Sequence, residues 1–378
     1  MLKNKKLYLL LSMATPLIYL IFLINNIGWY EAFSNFYIVP MEPIFADSRS
    51  ISGAINSINS GFDPYVENPF DPWKRSITYP PIWIEIYKIL NLNTELNFLV
   101  FIVLQIVIFL FILAKLLLKT NEFKFVLIIM SWSTFLIIER GNNDLTIFIL
   151  VYLFLTFKKP FLKTITLFIS VVLKFYTIPL IIFLKGKKYL FSCLFFIFLY
   201  LVISYEQIIK IRNSLEGITN IQYGLDVSLY YLKYIGLNYL NSEYLFIIFI
   251  LTSIPFIYYL IRHENNYAIS KNSYEMQSFL VGSSIYIFTF IFQNNFDYRL
   301  VFLFFCLPLV SKLNTLNKYF IFTNIFISCN LGFINYLVLL KIDFYLDIFQ
   351  ISKTITFIYL LLLNFEIFKN QKNSKLKY

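Results

Sequence analysis

The stretch FVLIIMSWSTFLIIERGNNDLTIFILVYLFLTF, residues 125–157, decides the fold of this chain. It contains two apolar runs, 125–138 and 145–157, on either side of a polar turn at 139–144. The runs have about 14 and about 13 residues, so each is about 20 Å long as a helix, whereas the hydrocarbon core of a bilayer is about 30 Å thick. The turn is therefore predicted to lie below the membrane surface. Polar groups are tolerated at that depth only where they line a watered cavity walled by protein.

The composition of the whole chain indicates an integral membrane protein. Hydrophobic residues make up 59% of the 378 residues, and the mean hydropathy is +0.70. These values exclude an aqueous globular domain. The apolar runs lack the two-residue alternation of a barrel strand, so they can satisfy their backbone groups in hydrocarbon only as helices. The sequence predicts a single all-α integral membrane domain over residues 1–378, with about 12 transmembrane helices, some of them short and broken.

The net charge of +11 reflects membrane topology and not a nucleic-acid partner. When the loops are assigned to alternating sides from the N-terminus, the two sides carry roughly +16 and −5. Positive charge accumulates on the cytoplasmic side of membrane proteins. This rule places both termini in the cytoplasm and an external loop at 28–95, immediately after the first span. Residues 82–90 are predicted to form an interfacial helix within that loop, and 205–243 form a second external loop.

A second pair of short apolar segments follows the first. The chain is apolar from Pro160 to Leu173, meets Lys174, and continues through Pro179. Lys174 is therefore predicted to lie at an outward tip close to the first one. Adjacent broken helices with polar tips are typical of binding sites at membrane depth.

Asp47, in the first external loop, is the predicted general base. A carboxylate partly removed from water at the membrane boundary can accept a proton from a sugar or lipid hydroxyl. The alternative is a solvated loop acid or a helix cap. Asp63 and Asp71 precede prolines and are predicted to be turn residues. Either of them could join Asp47 at a divalent cation, but no pair of His or cluster of carboxylates indicates an obligatory metal site or cofactor.

Arg140 and Lys174 are the predicted ligands of a phosphate group, because charge-assisted hydrogen bonds are strong in a medium of low dielectric constant. The alternative for Arg140 is an ion pair with Glu139 or Asp144. The alternative for Lys174 is a side chain that extends along a tilted helix to the surface.

Asp297 and Arg299 follow a later outward span and have two interpretations. They either form a structural ion pair with each other or contact the substrate directly, with Arg299 as a further phosphate ligand. All the candidates fall on the outer side of the predicted topology. The other predicted pocket residues are Arg49, Asp63, Tyr65, Tyr79, Asn142, Asn143, Asp144, Tyr176, Asp297 and Tyr298.

Several short motifs, taken in their order along the chain, resemble those of a known family. They are Asp47, Gly61-Phe62-Asp63-Pro64-Tyr65, Tyr79-Pro80-Pro81, Arg140-Gly141-Asn142, Lys174-Phe175-Tyr176 with Pro179, and Asp297-Tyr298-Arg299. Over about residues 40 to 310 the chain resembles the GT-C superfamily of glycosyltransferases. It is most similar to family 87, the mannosyl- and arabinofuranosyltransferase-like membrane proteins.

The resemblance implies a GT-C-like bundle and an inverting transferase of hexosyl or pentosyl groups. The donor would be a polyprenyl-phosphate sugar, and the acceptor a hydroxyl of a glycan or lipid at the external or periplasmic face of a bacterial inner or plasma membrane. Asp47 would take the acceptor proton, and Arg140 and Lys174 would hold the leaving phosphate.

Two other functions fit part of the pattern. A polysaccharide polymerase or ligase also handles lipid-linked glycans, but it is expected to place its essential arginines in a late external loop. A transporter or flippase of lipid-linked sugars also uses broken helices with charged tips. Against a transporter, the two halves of the chain show no internal repeat, and the polar groups cluster on one side instead of forming a path.

Overall fold

The computed structural model describes residues 2–213, 222–228, 242–262, 273–292, 295–331 and 345–375. Most of these residues lie in helices. The helices long and apolar enough to cross a membrane are Asn4–Ile27, Glu95–Thr120, Tyr274–Phe292 and Ile348–Lys369. The helices Lys187–Ile203 and Tyr205–Arg212 meet at a bend of 72° and make one more candidate span if they are counted together. This structure agrees with an all-α integral membrane protein, whereas the number of about twelve crossings stays a prediction.

The N-terminal part consists of a long first helix, the segment predicted as an external loop, and a second long helix. Its helices are α1 (Leu2–Ile27), α2 (Trp29–Ser34), α3 (Ala46–Asn59), α4 (Pro81–Ile89) and α5 (Glu95–Thr120). The helix predicted at 82–90 is confirmed as α4. Within 28–95 the structure also contains α2 and α3, two helices that the sequence did not predict.

Helix α3 forms in a segment rich in Ser, Asn and Gly because one of its faces is packed. Ile51, Ala54 and Ile55 on that face are buried. A Cβ atom at Gly53 would lie 2.5 Å from the carbonyl oxygen of Phe70. Only glycine therefore allows the loop that follows to approach the helix so closely. These tertiary contacts override the weak helix propensity of the sequence.

The two predicted pairs of short apolar segments are helical. They comprise the 3-10 turn Phe123–Phe125, α6 (Val126–Ile129), α7 (Trp132–Arg140), α8 (Asp144–Thr156), α9 (Pro160–Leu173) and the 3-10 helix Phe175–Phe183. Helix α7 is buried along its whole length. The apolar run at 125–138 is not one continuous helix, because it is broken between α6 and α7 around Met130 and Ser131. The polar turn between α7 and α8 is enclosed in protein, as the short lengths predicted.

The C-terminal part contains longer helices and one small sheet. Its elements are α10 (Lys187–Ile203), α11 (Tyr205–Asn213), β1 (Gln222–Tyr223), α12 (Ser242–Arg262), α13 (Tyr274–Phe292), β2 (Asn295–Phe296), the 3-10 helix Asp297–Cys306, α14 (Leu307–Val310), α15 (Thr315–Cys329) and α16 (Tyr345–Lys375). The strands pair antiparallel, with Gln222 opposite Phe296 and Tyr223 opposite Asn295. The predicted span at 319–340 and the external loop at 205–243 each lie partly outside the described residues.

Five pairs of packed elements bring the candidate residues together. Helix α3 packs against α4 and α7, α8 packs against α9, and the 3-10 helix Asp297–Cys306 packs against α7 and α13. All but one of the ten residues of that 3-10 helix are buried. The first loop, the two polar tips and the segment after β2 consequently converge at one place.

Candidate functional site

Asp47 lies in the first turn of α3 and contacts the tip between α7 and α8. Its Oδ2 atom accepts a hydrogen bond of 2.7 Å from the Nδ2 group of Asn142. The same amide lies 3.4 Å from the hydroxyl of Tyr79. The Asp47 side chain is 15% exposed, whereas Asn142 and Tyr79 are buried. Asp47 is therefore held by a buried amide and keeps access to solvent, as a general base requires.

The tip itself is fixed in one conformation. Gly141 has φ +53°, and a Cβ atom there would lie 2.6 Å from Cβ of Phe45. Asn142 Oδ1 accepts a 2.9 Å hydrogen bond from the backbone N–H of Asp144. The Ser48 hydroxyl donates to the carbonyl oxygen of Gly141. The glycine thus supplies both the left-handed turn and the space for the aromatic ring.

Asn143 ties the tip to α3 and α4. Its Oδ1 atom accepts hydrogen bonds from the hydroxyl of Tyr87 at 2.9 Å and from that of Ser48 at 3.4 Å. The Nδ2 group of Asn143 is buried without a partner among the described residues. Sequence analysis missed Ser48 and Tyr87, since an isolated serine or tyrosine carries no distinguishing pattern.

Asp144 is a buried carboxylate that binds two cations from different parts of the chain. Its Oδ1 atom lies 3.3 Å from Nζ of Lys174, and its Oδ2 atom lies 3.0 Å from Nε of Arg299. The Tyr176 hydroxyl donates to Oδ1 at 2.9 Å. Lys174 and Arg299 are each 12% exposed. Two cations share one carboxylate, so the cluster carries one positive charge in excess and is suited to bind an anion.

Aromatic rings join the cation cluster to the site around Asp47. Nζ of Lys174 lies 4.5 Å from the centre of the Tyr79 ring. The Arg299 guanidinium lies 5.1 Å from the ring centre of Tyr176 and 5.8 Å from that of Tyr298. Burial raises the pKa of the Tyr79 hydroxyl well above its usual range, and the charge of Asp47 adds to this effect. Tyr79 therefore stays neutral beside both charged groups.

The end of α9 explains how Lys174 reaches this position. The helix stops at Leu173, whose carbonyl oxygen accepts a 3.0 Å hydrogen bond from Nε1 of Trp83 in α4. Lys174 itself has the extended backbone angles φ −153° and ψ 109°. The turn from α-helix to 3-10 helix thus directs Lys174 toward Asp144. It does not extend along a helix to the membrane surface.

Of the two interpretations of Asp297 and Arg299, the ion pair between them is wrong. Asp297 instead lies 2.7 Å and 2.9 Å, through its two carboxylate oxygens, from Nζ of Lys353 in α16. Both of these side chains are completely buried. Arg299 pairs with Asp144 and also donates to Oδ1 of Asn295. Along a 3-10 helix, residues two positions apart point in different directions, which is why each member of the expected pair has another partner.

Arg140 makes structural contacts beside the site. Its Nε atom lies 3.2 Å from Oε2 of Glu139, which is the ion pair considered as the alternative from sequence. Its Nη2 group donates a 3.0 Å hydrogen bond to the carbonyl oxygen of Val39. Glu139 in turn accepts a 2.8 Å hydrogen bond from the N–H of Met41. The pair therefore fixes the segment that leads into α3, and Arg140 does not contact the Asp144 cluster.

Arg49 lies away from the network. It forms a two-point ion pair with Glu95 at 2.6 Å and 2.9 Å and covers the ring of Phe98. These contacts connect α3 to the start of α5. Arg49 is close to Asp47 in sequence, but its guanidinium binds Glu95 of α5 and not the Asp47 carboxylate.

Asp63 and Tyr65 also lie apart from the network. Asp63 accepts a 3.0 Å hydrogen bond from the Tyr65 N–H, which confirms the predicted turn, and pairs with Lys210 at 2.6 Å. Burial raises the pKa of the Asp63 carboxyl, but the hydrogen bonds from Lys210 and from the Tyr65 N–H, together with the charge of Lys210, outweigh this effect and lower the pKa. Tyr65 is buried. Within the described part of the chain, no group of three acidic, His or Cys side chains could hold a metal ion.

Comparison of the chain with family models, with curated proteins and with solved structures found no match. The chemistry of the site is therefore argued from its own geometry. The fold brings together Asp47, an accessible carboxylate, and Lys174 and Arg299, two nearly buried cations. These three residues are far apart along the chain.

Proposed function

We propose that this protein is an inverting glycosyltransferase of the GT-C type, which moves a sugar from a polyprenyl-phosphate donor to a hydroxyl of a glycan or lipid acceptor. One observation carries the proposal. Asp47 is connected to the Lys174 and Arg299 cluster by an unbroken series of contacts through Asn142 and Tyr79. A base and an anion site are the two parts that such a transfer needs.

The reaction would use the two parts at opposite ends of the breaking and forming bonds. Asp47 takes the proton of the acceptor hydroxyl, and the hydroxyl oxygen forms a bond to the anomeric carbon of the sugar. The bond from that carbon to the phosphate oxygen breaks at the same time, and its electron pair leaves with the polyprenyl phosphate. Attack from the side opposite the leaving group inverts the anomeric centre.

Lys174 and Arg299 are the proposed phosphate ligands. Asp144 holds the two cationic side chains near each other. They therefore need to move little when the phosphate binds. Groups fixed in advance toward a developing negative charge are a large source of rate enhancement. Asp144 also offsets the repulsion between the two cations before the donor arrives.

Arg140 has a different role in this proposal from the one its motif implied. Its contacts with Glu139 and Val39 hold the segment that precedes α3. Arg140 would then maintain the position of Asp47 at the tip and would not bind the donor.

The membrane arrangement belongs to the same proposal. A bundle of about twelve crossings with both termini in the cytoplasm would place the site at the external face. A polyprenyl-phosphate sugar presents its head group at the membrane boundary, close to the depth expected for the tips of the short helices. The four candidate spans among the described residues support a position in the membrane, and the burial of the tips supports a site enclosed in protein.

The test is transfer of a labelled sugar from a polyprenyl-phosphate donor by the purified protein in proteoliposomes. Asp47→Asn is expected to lower turnover by about 100-fold or more, because it removes a general base. Asp63→Asn is the matched control, since Asp63 lies in the same loop, is 41% exposed and pairs with Lys210. Release of polyprenyl phosphate in equal amount to transferred sugar would separate transfer from transport. Wild-type turnover by Asp47→Asn would contradict the assignment of the base.

A further inference from the structure

Arg75 approaches the Asp47 carboxylate from the side opposite Asn142. Its Nη1 group lies 3.5 Å from Oδ1 of Asp47, while the amide of Asn142 contacts Oδ2. The two carboxylate oxygens of Asp47 therefore have different partners. One partner is a neutral buried amide, and the other is a cation that is 27% exposed.

The rest of the Arg75 side chain is anchored. Its Nε and Nη2 groups lie 3.2 Å and 3.3 Å from the two oxygens of Asp71. Nη2 also donates a 3.1 Å hydrogen bond to the carbonyl oxygen of Ala46. A planar guanidinium bound at two edges can present its remaining nitrogen in only one direction. That direction is toward Asp47.

Asp71 shapes the loop that carries Arg75. Its side chain is completely buried, and its Oδ2 atom accepts hydrogen bonds from the backbone N–H groups of Trp73 at 3.0 Å and Arg75 at 2.9 Å. The loop is fixed on α3 by the close contact of Phe70 with Gly53. These contacts hold the arginine in place beside the Asp47 carboxylate.

We infer that Arg75 is a positioning residue for the proposed base, which aims the Asp47 carboxylate at the acceptor hydroxyl without itself binding the donor. The inference rests on the proposed function. Asp71 and the Ala46 carbonyl hold one part of the Arg75 guanidinium, and its Nη1 group is directed to Asp47. Loss of Arg75 would leave Asp47 held by Asn142 alone and free to rotate away from the productive direction.

The test compares Arg75→Ala with Lys74→Ala in the proteoliposome assay. Lys74 is the adjacent residue, carries the same charge and is exposed. Arg75→Ala is expected to lower kcat by about 10- to 100-fold, because a small displacement of a reacting group has an effect of that order. The KM for the donor should stay at the wild-type value, and Lys74→Ala should leave both constants unchanged.

Two further measurements separate positioning from loss of fold. Added guanidinium ion is expected to restore part of the activity of Arg75→Ala, since it can occupy the vacated place beside Asp71 and Asp47. Arg75→Lys is expected to retain more activity than Arg75→Ala and to melt at the wild-type temperature in detergent. A misfolded loop would respond to neither measurement.

The outcomes distinguish the inference from the proposed function. A wild-type protein that transfers no sugar overturns the proposed function and this inference with it. An active wild type with equal kcat in Arg75→Ala and Lys74→Ala overturns the inference alone. A rise in donor KM with unchanged kcat would make Arg75 a donor ligand and would also overturn it.

Discussion

The buried pair of Asp297 and Lys353 gives a prediction about stability. Both side chains are fully buried, and Nζ of Lys353 lies 2.7 Å and 2.9 Å from the carboxylate oxygens. At a separation of about 3 Å and an effective dielectric constant of about 20, their attraction is about 6 kcal/mol. The transfer of each ion out of water costs several kcal/mol. The net contribution of the intact pair to stability is therefore small.

Removal of one member has a much larger effect. Lys353→Met leaves a buried carboxylate without its cation, and Asp297→Leu leaves a buried ammonium group. Each is expected to lower the free energy of unfolding by about 3–5 kcal/mol. The double variant Lys353→Met/Asp297→Leu removes both charges and is expected to recover most of that loss.

The assay is thermal unfolding of the four proteins in the same detergent. The two single variants should melt well below the wild type, and the double variant should melt closer to the wild type than either of them. Single variants that melt with the wild type would contradict the burial argument. A double variant at least as unstable as the single variants would show that packing, and not charge, dominates this position.

Two predictions concern the tips of the short helices. Lys174→Gln is expected to weaken equilibrium binding of a polyprenyl-phosphate donor by about 10-fold or more, because it removes a charge-assisted hydrogen bond. Arg140→Gln should bind the donor with the wild-type affinity once its folded fraction is taken into account. Equal weakening in both variants would contradict the separate roles of the two cations. Gly141→Ala is expected to lower the free energy of unfolding by about 1–3 kcal/mol, because residue 141 has a positive φ and its Cβ atom would collide with Phe45. A variant that melts in detergent at the wild-type temperature would contradict this prediction and show that the tip rearranges to accept the methyl group.

The helices of this chain could largely be predicted from the sequence. Apolar runs are a strong signal, and α4, α5, α8 and α9 all lie where the hydropathy pattern places them. The lengths of the apolar runs beside the polar turn predicted a turn walled by protein, and its residues are buried; its depth in the membrane stays a prediction. Helix α3 was missed because its composition is that of a loop, and its packed face becomes evident only when the partner segments are in place.

The partners of the charged residues were harder to predict. One interpretation paired Arg299 with Asp297 two positions away, but Arg299 pairs with Asp144 in another part of the chain. Lys353 was not considered because it lies in the last apolar helix, 56 positions from Asp297. Sequence spacing shows which side chains share a face of one helix, but it does not show which helices become neighbours.

Only part of the candidate site could be predicted, because sequence spacing does not show which helices become neighbours. Asp47, Asn142, Lys174 and Tyr176 are joined in one network, whereas their common outward side stays a prediction. Arg49 lies outside that network because it pairs with Glu95. No sequence motif singles out Arg75, and its approach to Asp47 depends on the folded loop.

The most direct test of the central claim is a structure of the Asp47→Asn variant with a bound polyprenyl-phosphate sugar. The account predicts the phosphate within hydrogen-bond distance of both Lys174 and Arg299, with the anomeric carbon of the sugar on the side facing residue 47. A phosphate bound at Arg140 or Arg49, or a sugar directed away from residue 47, would contradict the account.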